Sequence, residues 1–277
     1  MGPLVTKADG ETEPFSPQKL LQSLKRAGAA PQVAQSILGE VEKELYNGIT
    51  TNEIYRHAFQ HLREHKHVAA ARYSLKRAIL DFGPSGFPFE AYLAEIFRAE
   101  GYAARIDQIV HGGCVEHEVD VVATKGDETL YVEAKFHNNL GFKTDLKVAL
   151  YVKARMDDIR KKVDSPQNAR GLLVTNTKFT GVAIQYANCA GVELLGWDYP
   201  HKGNLHDRIE ATKRYPITAL TSLSRAEKDE LLQDKIVLCN DLATQKDALL
   251  RLGIKGDHAQ GIFEEAAGLC VAQGGIE

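Results

Sequence analysis

Residues 118–136, EVDVVATKGDETLYVEAKF, leave the backbone little choice. Two runs with apolar residues at every second position flank Gly126-Asp127, a dipeptide suited to a tight turn between paired strands. Strand side chains alternate between faces, so residues two apart point the same way. Val132, Ala134 and Phe136 then share a core face while Glu133 and Lys135 project together from the other. In the preceding run Val119, Val121 and Ala123 face one side, and Glu118, Asp120 and Val122 the other. Pairing across the turn brings Asp120, Glu133 and Lys135 together at one end of a sheet.

An isolated Glu-x-Lys is ordinarily a solvated strand face. With Asp120 added, the trio has a chemistry of its own. Two carboxylates with nearby backbone carbonyls suit Mg²⁺, a hard cation that binds oxygen and keeps several waters. A metal held there activates water and neutralises charge on a phosphoryl transition state. A lysine beside it orients that water or stabilises the phosphate.

Around this hairpin the chain reads as three blocks. In PLVTKADGETEP (3–14) two short runs flank Asp9-Gly10, a hairpin signal. Helical patterns follow: QKLLQSLKRAG after Ser16-Pro17, PQVAQSILGEVEKELYNG, a third opening at Thr51, and HVAAARYSLKRAILDFG. GPSGFP (83–88) then breaks the pattern and marks a domain boundary. The second block has a leading helix FEAYLAEIFRAEG, adjacent strands, a helix over 143–161, the strand RGLLVTN, the helix TGVAIQYANCAG and the strand VELLGW. Strands first adjacent and then alternating with helices argue for a mixed-sheet α/β core. Residues 201–277 return to short helices. The expected division is 1–83, 84–200 and 201–277, giving a multidomain α+β and α/β chain with a small all-helical C-terminal domain.

Composition narrows the function. The formal net charge of -3 over 277 residues gives no global basicity, so any nucleic-acid contact must come from local patches. The four cysteines lack zinc-ligand spacing and read as reduced thiols. The N-terminus lacks the apolar run of a leader, and no stretch approaches membrane-spanning length. The expectation is a cytoplasmic protein with no membrane partner.

From FEAYLAEIFRAEGY through EVDVVA and YVEAKF to GLLVTNTKFTGVAIQYANCAGVELLGWD, the chain resembles the PD-(D/E)xK nuclease superfamily, and within it the Mrr-like type IV restriction endonucleases. The resemblance covers about 85–200. It implies a Mg²⁺- or Mn²⁺-dependent endonuclease acting on DNA, with Asp120 and Glu133 as metal ligands and Lys135 as the catalytic lysine. Glu95, on the leading helix, matches an additional acidic position of many members. His111, His117 and His137 lie near the site and read as polar surface.

VTKADGETEPFSPQKLLQSLKRAG, with GITTNEIYRHAFQHL and AARYSLKRAI, resembles the ATP-cone, a regulatory nucleotide-binding module, over about 3–83. It implies ATP or dATP as regulatory ligand, contacted by Val5, Lys7, Glu13, Phe15, Lys19 and Thr51, with Tyr55 nearby. No G-x-x-x-x-G-K-[ST] occurs, so the nucleotide is not held by a P-loop. Where the family usually has a second basic residue, this chain has Ala8. In the tail, LGIKGDHAQGIFEEA resembles half of a helix-hairpin-helix element, and a plain helical packing domain is an equal alternative. Together these readings imply a nucleotide-regulated DNA endonuclease assembled as a homo-oligomer, a dimer or larger. The alternative is a nucleotide-responsive, nucleic-acid-binding regulator without cleavage activity.

Overall fold

The computed structural model describes residues 2–65, 67–162, 168–245 and 247–271; the final six residues of the expected helical tail lie outside them. The chain forms two compact units, Met1–Ala78 together with Tyr215–Glu277, and Ile79–Arg214.

In the first unit, β1 (Leu4–Thr6) and β2 (Thr12–Pro14) pair antiparallel around Asp9-Gly10, with Val5 opposite Glu13. Gly10 sits at φ 85, a region glycine enters without steric cost. Helix α1 (Pro17–Arg26) has Ser16 as its cap, accepting the Lys19 amide, with proline in the first turn. After α2 (Pro31–Lys43), a strand not anticipated from sequence, β3 (Ile49–Thr50), joins β1 in parallel. It leads into α3 (Thr51–His65), where the Thr50 hydroxyl accepts the Glu53 amide (3.1 Å) and the Glu53 carboxylate accepts the Thr50 amide (3.0 Å). The helical pattern over 67–83 is interrupted. It forms α4 (His67–Tyr73) and α5 (Leu75–Leu80), separated at Ser74, whose hydroxyl donates to the Ala71 carbonyl (3.0 Å). Val5, Leu24, Ile37, Val41, Ile49, Ala58 and Leu62 form the buried centre.

The second unit opens with α6 (Phe87–Ala99), followed by β4 (Ala103–His111), β5 (Glu116–Lys125), β6 (Glu128–Lys135), β7 (Lys143–Thr144), α7 (Leu146–Ile159), β8 (Asn168–Thr175), β9 (Lys178–Phe179), α8 (Gly181–Ala190), β10 (Glu193–Leu195) and α9 (Leu205–Thr212). The main sheet runs β10-β8-β6-β5-β4, and β7 pairs with β9 in a separate ribbon. Consecutive β4, β5 and β6 pair antiparallel, while β6, β8 and β10 are parallel. Parallel neighbours need long crossovers, which α7 and α8 supply. This is the mixed α/β core that the strand pattern implies. The helix expected over 143–161 starts later, at Leu146, because Asp145 caps it by accepting the Lys147 amide. Thr180 caps α8, and Gly191 at φ 70 ends it. The unit continues past residue 200: Leu205 and Ile209 of α9 are fully buried, and Arg208 pairs with Glu100 at 2.9 Å.

The C-terminal helices α10 (Arg225–Gln233), α11 (Asp241–Thr244), α12 (Asp247–Arg251) and α13 (Gly256–Cys270) belong to the first unit. The Thr218 hydroxyl donates to the Ala78 carbonyl (2.6 Å), and the Arg72 guanidinium lies 5.7 Å from the Tyr215 ring centre. Buried Glu265 accepts the amides and hydroxyls of Thr221 and Ser222 at 2.5–3.0 Å, satisfying a carboxylate that would otherwise be costly inside. All four cysteines are unbridged. No helix among the described residues is long and apolar enough to cross a membrane.

Candidate active site

The β5–β6 ladder runs from Lys125↔Glu128 to Val121↔Val132 and stops there. One step further, Asp120 and Glu133 face each other across strands that no longer exchange main-chain bonds. The Ala134 amide donates instead to Asp120 Oδ2 at 2.6 Å. A side chain has replaced a ladder partner, and the strands part where the acidic residues stand. On the opposite flank β6 stays paired with β8 through Lys135↔Thr175, and the Thr175 hydroxyl donates to the Lys135 carbonyl (2.8 Å).

Asp120 and Glu133 are half-buried and Lys135 is exposed. Burial is the main cause holding the Asp120 carboxyl above its ordinary range, against the opposing pull of the Ala134 amide, Arg155 and Lys135. Burial likewise raises Glu133, reinforced by the charge of Asp120 and opposed by Arg155. The Arg155 guanidinium, 6% exposed, approaches Glu133 Oε2 to 2.8 Å. It also donates to the Tyr151 hydroxyl at 2.6 Å while lying 4.6 Å from that ring's centre. Arg155 escaped the sequence reading, although a charge beside the buried stripe Ala149, Val152, Met156 and Ile159 was a signal that it has a partner inside.

On α6 it is the Glu90 carboxyl, five residues before Glu95, that feels the charges of the sheet acids. Burial and then the charges of Asp120, Asp107, Glu118 and Glu133 push the Glu90 carboxyl up to about 7. Glu95 is instead engaged by Arg98 one turn along the helix. Five residues of α-helix turn through about 500°, so the two glutamates present different faces. Asp107 adds a kink: at φ 55 it interrupts the β4–β5 register between Ile106↔Val121 and Gln108↔Val119, opposite Asp120. The three histidines remain outside the cluster: His111 pairs with Glu116 (3.0 Å), His117 with Asp158 (2.9 Å), and His137 with Thr144 (3.0 Å).

Among the described residues no three His, Cys, Asp or Glu side chains are drawn together as a finished metal cage. The donors nevertheless fit a hard divalent cation. Asp120, Glu133 and Glu90 offer oxygen only, and each carboxyl is raised by burial and by its neighbours' negative charge. A cation bound between them would favour the charged carboxylates, offsetting both effects.

In the first unit, Val5, Glu13, Phe15, Lys19, Thr51 and Tyr55 line one cavity of about 180 Å³. Lys7 does not line it but is bridged to Glu11 (2.7 Å) and to the lining Glu13 (3.7 Å), which also holds Lys19 (2.8 Å). The sequence reading missed Tyr73, which also lines the cavity and stacks on Tyr55 with centroids 5.3 Å apart, and Arg77, lying 3.8 Å from the Tyr55 ring centre. Aromatic faces beside lysines suit a base and its phosphates.

Three family models match this chain in succession: an ATP cone domain over residues 3–81, a restriction endonuclease over 84–198, and an AF1548-like C-terminal domain over 215–270. An uncharacterized protein of Archaeoglobus fulgidus is 35% identical over 175 residues, which are 63% of this chain and 97% of that protein. The crystal structure of AF1548, a protein of unknown function, superposes with a TM-score of 0.55 at 33% identity, covering 67% of this chain and 98% of that one. The structure of Can2 from Sulfobacillus thermosulfidooxidans in complex with cyclic tetra-adenylate aligns at 10% identity and TM-score 0.32, over 73% of this chain and 63% of that one.

Proposed function

The chain belongs to the AF1548-like family, with an ATP-cone ahead of its restriction-endonuclease domain, and from that premise we propose that it is a cytoplasmic, nucleotide-regulated, Mg²⁺-dependent DNA endonuclease. ATP or dATP is the regulatory ligand, and the protein works as a homo-oligomer whose assembly responds to nucleotide. The observation that carries this reading is the parting of β5 from β6 at Asp120 and Glu133, with Lys135 on the same strand face.

Asp120 and Glu133 are the metal ligands in this reading, with Glu90 beside them. Mg²⁺ or Mn²⁺ bound there supplies water activation and charge neutralisation during phosphodiester hydrolysis. The chain's own residues do the rest. The Ala134 amide fixes the Asp120 carboxylate (2.6 Å), so that its orientation is set before substrate arrives. Arg155 balances charge at Glu133 from the protein side. Lys135, exposed and on the same face, stabilises the scissile phosphate or orients the attacking water.

A second reading, a nucleotide-responsive DNA-binding regulator without cleavage, is favoured by one observation. Arg155 occupies the Glu133 carboxylate that a metal needs. Supercoiled plasmid incubated with Mg²⁺ or Mn²⁺, with and without ATP and dATP, separates the two. Nicked or linear product supports the nuclease. Bound but intact plasmid under every condition supports the regulator.

A further inference from the structure

Asp120 and Glu133 are held in unlike ways. The Ala134 amide fixes Asp120 from the backbone, whereas Glu133 is held by a side chain, Arg155 of α7. Arg155 Nη1 stands 2.8 Å from Glu133 Oε2, and the arginine is 6% exposed. The contact is close but poorly directed. Glu133 Oε2 is sealed from solvent yet accepts no aligned hydrogen bond, and Arg155 Nε is sealed without an acceptor among the described residues. A buried ion pair offsets its desolvation only with good geometry and with its remaining donors satisfied. This pair lacks both, so little is lost when it opens onto better partners.

The guanidinium has a second place to rest. Tyr151, one turn earlier on α7, accepts a hydrogen bond from Arg155 Nη2 (2.6 Å), and its ring centre lies 4.6 Å from the guanidinium carbon. Tyr151 is 51% exposed, so its ring leads from the buried contact to solvent. An arginine that leaves Glu133 keeps an aromatic face to stack on and gains water. Glu133, once released, needs another cation. A divalent metal between Asp120 and Glu133 supplies it, and metal and guanidinium, one carboxylate apart, repel each other.

We propose that Arg155 is a latch on the metal site: it occupies Glu133 while no cation is bound, and a divalent metal gains the carboxylate only by displacing it. The chain therefore binds metal more weakly than its carboxylates alone would allow. The proposal rests on the reading of Asp120 and Glu133 as metal ligands, and it is tested by metal binding, without DNA or cleavage.

The test titrates the full-length protein with Mg²⁺ by calorimetry, in mildly alkaline buffer that keeps carboxylates charged. Arg155→Met, which fills the space without the charge, is expected to bind Mg²⁺ about tenfold more tightly than wild type. That is the gain when a binding-competent state rises from about 10% to full population. Tyr151→Phe leaves every charge in place and removes only the hydroxyl that steadies the latch; it shifts affinity the same way by less. Lys153→Gln takes the same charge from the same helix, where it pairs with Asp157 rather than Glu133, and leaves affinity unchanged. Unchanged or weaker binding by a folded Arg155→Met protein overturns the proposal and makes Arg155 a support that orients Glu133. An equal rise in Lys153→Gln also overturns it, because the effect is then one of overall charge. Should Arg155→Met not fold, Tyr151→Phe decides: tighter binding supports the latch, and unchanged or weaker binding overturns it. Absence of Mg²⁺ binding in every variant removes the metal site and the latch together, whereas a latch without plasmid cleavage counts against the nuclease alone.

Discussion

Asp120 Oδ2 accepts the Ala134 amide at 2.6 Å, the bond that a neighbouring strand's carbonyl would otherwise receive. The two strands therefore separate beyond Val121↔Val132, and the faces bearing Asp120, Glu133 and Lys135 open into one place. Asp120→Asn keeps the shape and an amide acceptor but loses the charge. It is expected to fold with a melting temperature near that of wild type while metal-dependent cleavage is lost. Differential scanning calorimetry with a plasmid assay checks both halves.

Glu90 and Glu95 are about 1.4 turns apart on α6 and have different surroundings. Glu90→Gln is expected to lower Mg²⁺ affinity or cleavage by about 10–100-fold, the range seen for residues that support a metal site. Glu95→Gln leaves both unchanged. The reverse ranking, measured by Mg²⁺ titration of the cleavage rate, returns the role to Glu95.

The Glu90 carboxyl also makes a pH prediction. Its folded pKa, about 7, lies above the ordinary 4.5. Between those values the folded chain holds a proton that the unfolded chain releases, so metal-free stability declines as pH rises through this window and levels off above it. Asp120 and Glu133 are raised in the same sense. The melting temperature without metal is expected to fall across pH 4.5–7, less steeply in Glu90→Gln, and to recover at pH 7 with Mg²⁺. A profile that rises with pH contradicts the clustering of these acids.

How much of this was legible is clearest from the acids themselves. Asp120, Glu133 and Lys135 could be placed because strand alternation is a period of two, and an error of one residue would have put Lys135 in the core. Glu90 could not be preferred to Glu95, since both stand on a helix with apolar residues on several sides and only the sheet's position distinguishes them. Arg155 lies 22 positions from Glu133, joined by a crossover whose geometry no local pattern encodes. The hairpin at Asp9-Gly10 was readable from turn chemistry, whereas β3 was not, because a two-residue strand has no periodicity. That α13 packs on α4 depends on residues two hundred positions apart, the Val68 side chain against the bare backbone at Gly268.

That last contact is itself testable. A Cβ at Gly268 would stand 2.6 Å from Val68 Cγ2, closer than side-chain contacts tolerate. Gly268→Ala is expected to lose about 1–3 kcal/mol in denaturant unfolding, the usual cost of overpacking, and Val68→Ala in the same chain to return most of it. Wild-type stability in Gly268→Ala would mean that α13 does not rest on α4.

Nucleotide binding can be followed on the same full-length protein by calorimetry. Lys19→Ala is expected to weaken ATP or dATP by about tenfold or more, the scale of one charge-assisted hydrogen bond. Millimolar nucleotide belongs in the series, because Ala8 stands where a second cation usually does. Light scattering without nucleotide, with ATP and with dATP is expected to show a change of mass. An unchanged mass together with unchanged cleavage separates the cone from the nuclease.

Lys135→Ala bears most directly on the central claim. Lys135 is exposed and makes no ion pair among the described residues, so its removal should leave the melting temperature where it was. Cleavage of supercoiled plasmid in saturating Mg²⁺ is predicted to slow by about 100–1,000-fold, the loss that accompanies removal of one preorganised transition-state donor. A folded Lys135→Ala protein that cuts at the wild-type rate would contradict the account.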